Sequence, residues 1–179
     1  AHLNHPGRMA NPKLPGNYFL SSTDRACENG GACPKKMDRE DMEKAINLFT
    51  QAGMRAKKAG FDLIELQFGH GYLLAQFISP YVNDRNDEFG GSFENRLRCP
   101  IEVIEEIRSK VGENYPLIFR LCANEYIEGD KGITLELAKK IAPRLIDAGI
   151  DILHVTGAIG ETRDHLIQPL YYRQGYHVY

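Results

Sequence analysis

The chain has 179 residues, 42% hydrophobic and 26% charged, with a formal net charge of -2. That is enough for one domain with its own core, and it leaves no electrostatic footprint for nucleic acid. No apolar run approaches the roughly 20 residues of a membrane span and no charged, apolar, small-residue leader opens the chain, so a cytoplasmic protein acting on a small molecule is expected, with no membrane or nucleic-acid partner.

The chain opens on AHLNH, without an initiator Met, and ends on YYRQGYHVY, without a closing element, so it reads as a piece of a longer protein. Pro6 to Pro34 holds several Gly and Pro residues and no helical period, and is predicted to be a long loop. A helix follows, with Asp38 as N-cap and Asp41 three residues on. Met42, Ala45, Ile46, Phe49, Gly53 and Ala56 recur at helical spacing, and Gly60 ends it after Lys57 and Lys58. FDLIEL is a short apolar strand. A second loop, Asn83 to Gly91, leads to Ser92 as the cap of a helix carrying Leu97, Ile101, Ile104 and Ile107. Pro100 falls inside that helix, where a proline is expected to bend it. PLIFRLC is the next strand, Thr134 opens a third helix with Leu137, Ala138, Ile141, Leu145 and Ile146, and DILHVTG is a further strand. The four cysteines, Cys27, Cys33, Cys99 and Cys122, form no CxxC pair and read as reduced thiols rather than as a disulfide framework or metal site.

Strands alternating with helices predict a parallel sheet with right-handed crossovers. A doubly wound sheet is the rival, but no GxGxxG turn follows any strand. The long loops follow strands, where a (βα)8 barrel places its working residues, and such a barrel needs roughly 250 residues. The expected fold is therefore α/β, a TIM (β/α)8-barrel type in which residues 1–179 make a single unit of about half a barrel. Side chains alternate along each strand. Leu3, Ile64, Leu66, Leu117, Phe119, Leu121, Leu153 and Val155 form greasy faces for outer helices. The opposite faces turn polar near the strand ends and bring together His2, Asn4, Gln67, Arg120 and His154, with His70 and Tyr72 just above. Several polar groups aimed into one mouth are costly to desolvate without a partner. A polar ligand would supply one; a hydrogen-bonded layer in the barrel core is the alternative.

Three stretches resemble the Old Yellow Enzyme family of FMN-dependent NAD(P)H:flavin oxidoreductases. HLNHPGR (His2 to Arg8) is similar to the family's QLxHxGR, FDLIELQFGHGYLLAQFISP to GFDxVEIHxAHGYLLxQFLSP, and NDRNDEFGGSFENRLR (Asn83 to Arg98) to NxRxDxYGGSxENRxR. The resemblance makes the four βα units strands 3 to 6 of the barrel. It leans towards the enoate reductase and 2,4-dienoyl-CoA reductase branch, whose longer members carry a 4Fe-4S cluster and FAD downstream of this segment. It implies that Arg120 lies at the flavin N1 and O2 edge and that His2 stands where a glutamine hydrogen-bonds the flavin pyrimidine. Gln67 and His70 take the two positions that hold a substrate carbonyl, and Tyr72 takes that of the proton donor. His2 and Gln67 depart from the family pattern. No metal ligand is expected in the segment itself, and Cys27 and Cys33 are not read as cluster ligands. The loop after LHVTG, where that branch carries a second acid, has His165 as its nearest histidine.

Each residue also has a plain structural reading. His70 would cap a helix, Tyr72 would pack on the rim, Arg120 would pair with Glu65, and Glu65 and the Asn83 to Arg98 motif would be architectural. The implied activity is reduction of the activated C=C of an α,β-unsaturated carbonyl, acid or CoA ester, with FMN as cofactor and NADH or NADPH as reductant. The competing reading is a truncated or decayed half-barrel that acts only within a longer protein or a homo-oligomer. A flavin-free lyase or aldolase is disfavoured because no Lys stands at a strand end for Schiff-base chemistry.

Overall fold

In the computed structural model, which describes residues 1–11, 13, 19–28 and 32–166, the elements run β1 (His2–Leu3), β2 (Leu20–Ser21), β3 (Lys35–Lys36), α1 (Arg39–Lys58), β4 (Ile64–Phe68), α2 (Leu73–Ile78), α3 (Phe93–Val111), β5 (Leu117–Asn124), α4 (Leu135–Asp147), β6 (Ile152–Gly157) and α5 (Arg163–Leu166). The terminal stretch YYRQGYHVY lies outside the described residues.

The helix starts follow from their caps. The Asp38 carboxylate accepts from the Asp41 N–H and the Asp41 carboxylate from the Asp38 N–H, a reciprocal box that satisfies two orphan donors of α1. Ser92 and Thr134 each accept from the N–H three residues on and open α3 and α4. The helix α3 continues through Pro100 without a break.

β1, β4, β5 and β6 form one parallel sheet in that order. Their outer faces carry Leu66, Phe68, Phe119 and Leu121, all buried beneath the helices, and the Phe68 and Phe119 rings sit 4.0 Å apart between centroids. The helices answer with Phe49 and Ala56 of α1, Val103, Ile104 and Ile107 of α3, and Ile141 and Leu145 of α4. Each of the larger of these side chains contributes about 1.5–3 kcal/mol when fully buried, so this one layer holds the sheet. The expected greasy outer face thins along β6: Leu153 packs against the core, but Val155 is 53% exposed.

Two segments differ from the sequence reading. The stretch read as a loop from Pro6 to Pro34 contains a 3-10 turn (Gly7–Met9) and β2, which pairs in parallel with β3 just beyond it. Pairings of two residues leave no periodicity to read. The run LLAQFI forms α2, with all six residues buried and no side-chain cap at its start. A helix buried all round shows no apolar stripe.

Candidate active site

The strand register sets the site. Gln67 of β4 lies opposite Arg120 of β5, and Arg120 opposite His154 of β6, so three polar side chains form one row across the sheet's inner face. Two residues earlier on β4, Glu65 pairs with His2 of β1. The Glu65 carboxylate is divided between two histidines, 2.5 Å from His2 Nδ1 through one oxygen and 2.5 Å from His154 Nδ1 through the other. Burial pushes the Glu65 carboxyl up, but the bonds to His154 and His2 outweigh it and hold the group below the usual carboxylate range.

This disposes of the structural reading of Arg120. Glu65 is engaged elsewhere, and no carboxylate among the described residues pairs with Arg120. Its Nε is buried with no hydrogen-bond partner. A buried guanidinium nitrogen without an acceptor is costly, and an anionic or carbonyl-rich ligand edge is the chemistry that relieves it. The donor set fits the O2 and N1 edge of a flavin. His2 is committed to Glu65 through Nδ1, which leaves its Nε2 side for any contact with a pyrimidine ring.

At the end of β4 the chain turns sharply. His70 adopts a left-handed backbone (φ +58°) and Gly71 follows at φ +77°. A Cβ on Gly69 would stand 2.6 Å from Thr156 Cγ2, and one on Gly71 3.2 Å from Ile159 Cβ. Only a turn bare of side chains at both places fits against β6 and the loop after it. His70 Nε2 lies 2.7 Å from Thr156 Oγ1. His70 is therefore tied to β6, across β5, rather than capping α2, whose N-cap is the Tyr72 backbone. The His70 and Tyr72 rings meet edge to face at 6.4 Å between centroids. Gln67 is buried, and its Oε1 accepts from the Gly69 N–H at 3.0 Å, which leaves its amide NH2 as the group it offers a ligand.

Sequence reasoning missed the supports of this turn. Gln76, fully buried, donates from Nε2 to the Gly71 carbonyl at 2.6 Å and accepts through Oε1 from Ser21 Oγ and the Arg8 N–H. It therefore ties the HLNHPGR loop, β2 and the His70 turn together. Arg8 pairs with Glu161 in a buried bridge at 2.5 Å. Glu125, beside them, accepts from Ser79 Oγ and the Ile133 N–H, and burial pushes its carboxyl up to about 7. An i-to-j spacing of 55 or 153 residues carries no local signal, so only the QF of the long motif pointed there. His165, the nearest histidine on the loop after β6, stacks on Tyr126 at 4.5 Å. Asn4 and His154 stand exposed on the inner face. Among the described residues no group of three or more His, Cys, Asp or Glu is placed to hold a metal.

The family model described as NADH:flavin oxidoreductase / NADH oxidase family matches residues 15–165. The chain is 42% identical to an NADH oxidase of Thermoanaerobacter brockii over 178 residues, which is 99% of this chain and 27% of that protein. Among solved structures it is similar to a 2-naphthoyl-CoA reductase in complex with 2-naphthoyl-CoA, with a TM-score of 0.77 and 29% identity over 89% of this chain and 26% of the other. It is also similar to morphinone reductase in complex with tetrahydroNAD, with a TM-score of 0.72 and 26% identity over 86% and 47% of the two chains. The chain thus spans about a quarter to a half of the length of these relatives, and its parallel sheet with outer helices is an arc of their TIM barrel. On the family model and these relatives together, the chain belongs to the NADH:flavin oxidoreductase / NADH oxidase family, the Old Yellow Enzyme family.

Proposed function

We propose that the protein to which this chain contributes is an FMN-dependent ene-reductase that uses NADH or NADPH to reduce an activated C=C conjugated to a carbonyl, acid or CoA ester. The observation that carries the reading is Arg120: a strand-borne cation with a buried, unpartnered Nε, in one row with Gln67, below a turn that presents His70 and Tyr72 together. Arg120 would hold the pyrimidine edge of FMN, with the Nε2 side of His2, on the far side of β4, as a second contact. Bound there, FMN supplies two-electron transfer between nicotinamide and substrate.

The chain's own residues do the rest. The Gln67 amide donates to the substrate's carbonyl oxygen, and the His70 ring bears on the same oxygen. Both draw electron density from the conjugated alkene and stabilise the charge that gathers on that oxygen. Gln67 does so without a change of charge, because an amide donates a hydrogen bond but carries no titrating proton. The Tyr72 hydroxyl gives its proton to the α-carbon and is reprotonated from solvent. The 2-naphthoyl-CoA ligand of one neighbour supports a conjugated, thioester-type substrate. The lengths of the relatives, two to four times this chain, support a second statement: the activity is that of the longer protein, with this segment as its catalytic arc.

The test is Tyr72→Phe in the full-length protein, with the two half-reactions measured separately. Reoxidation of the reduced enzyme by an α,β-unsaturated ketone or thioester should slow by roughly a hundredfold or more, while reduction by NAD(P)H keeps its rate. Equal losses in both half-reactions would remove Tyr72 from the proton-donor role.

A further inference from the structure

We infer that Thr156 is the positioning residue for His70, and so a determinant of how the site grips a substrate oxygen; this rests on the ene-reductase reading above. Thr156 lies on β6, opposite Cys122 of β5, and is buried. His70 follows β4, and β5 stands between the two strands, so the 2.7 Å bond from His70 Nε2 to Thr156 Oγ1 reaches across a whole strand. The turn is shaped for that reach. Gly69 leaves room for the Thr156 methyl, which would lie 2.6 Å from any Cβ there, and the left-handed backbone of His70 swings its ring over β5. A threonine that only filled space would need its methyl against Gly69 and no hydroxyl. The hydroxyl sets which way the ring faces, and its bond to Nε2 biases which ring nitrogen carries the proton.

The two halves of the threonine can be separated. In the full-length enzyme, Thr156→Val keeps the methyl that packs on Gly69 and removes the hydroxyl, whereas Thr156→Ser does the reverse. Thr156→Val should lower kcat/KM for an unsaturated ketone about tenfold, the scale of one lost hydrogen bond, with Thr156→Ser within about twofold of wild type. In a His70→Ala background, Thr156→Val should add less than about twofold, because the partner is already gone. Imidazole nitrogen NMR should show a changed His70 tautomer ratio in Thr156→Val and the wild-type ratio in Thr156→Ser. An unchanged ratio in Thr156→Val, or losses that multiply in the double variant, overturns the assignment. Wild-type enzyme that reduces no activated alkene overturns the ene-reductase reading instead, and the NMR result distinguishes the two failures.

Discussion

Glu125 is the buried acid whose proton matters to the fold. It is fully buried at the end of β5, with one oxygen accepting from Ser79 Oγ and the Ile133 N–H, and a Cβ on Gly132 would stand 2.5 Å from that oxygen. Desolvation raises its carboxyl from 4.5 to about 7, the two donors opposing, with Glu161 adding to the rise and Arg8 opposing it. The folded value lies above the unfolded one. The stability the group contributes is therefore fully present below about 4.5 and is lost as pH rises through about 7. At 1.36 kcal/mol per unit the loss is on the order of 3 kcal/mol. Glu125→Gln keeps an acceptor for Ser79 and Ile133 and has no proton to lose. Its unfolding free energy should lack the Glu125 share of the fall that the wild type shows between about pH 5 and about pH 8. Denaturant titrations at the two pH values check this, and parallel behaviour of the two proteins would mean that Glu125 is ionised throughout.

At the scale of the element, the turn after β4 concentrates strain. Gly71 sits at φ +77° with Ile159 Cβ 3.2 Å from where its own Cβ would be. Gly71→Ala combines a left-handed backbone penalty with a tight contact, and should destabilise by about 1–2 kcal/mol, read as a lower urea midpoint with an unchanged slope. The same turn marks what a sequence discloses. Asp38 with Asp41, Ser92 and Thr134 were legible as helix starts because a cap acts over three residues. The alternation in FDLIELQ and PLIFRLC was legible because a strand has a period of two, and it placed Gln67 and Arg120 on one face correctly. The partner of Glu65 was not. Nothing local separates a bridge to Arg120, the plain structural reading, from the observed bridges to His2 and His154, 63 and 89 residues away. Register decides it, because β6 brings His154 up beside Arg120 and within reach of the same carboxylate. For the same reason Thr156 and Gln76 looked like ordinary strand and helix residues until the strands were laid side by side.

At the scale of the whole molecule, the sheet has two open sides. Among the described residues β1 and β6 each pair with one neighbour only. On β6, Ile152 of the inner face is 48% exposed and Val155 of the outer face 53% exposed. In a closed barrel both strands are paired on both sides, and their unpaired N–H and C=O groups disappear with the edge. Among the described residues nothing covers either edge of the chain produced alone, and an exposed apolar edge strand is a template for pairing with another copy. Its weight-average mass in sedimentation should therefore rise with concentration across the micromolar range. Val155→Lys places a charge on that edge without touching the inner row of Gln67, Arg120 and His154, and should shift the distribution back towards monomer. A chain that stays monomeric at every concentration would show that the edges are covered by the chain itself. If the chain associates but Val155→Lys does not change it, then β1, with the apolar groove of Ala45, Leu48 and Phe49 beside it, carries the contact instead.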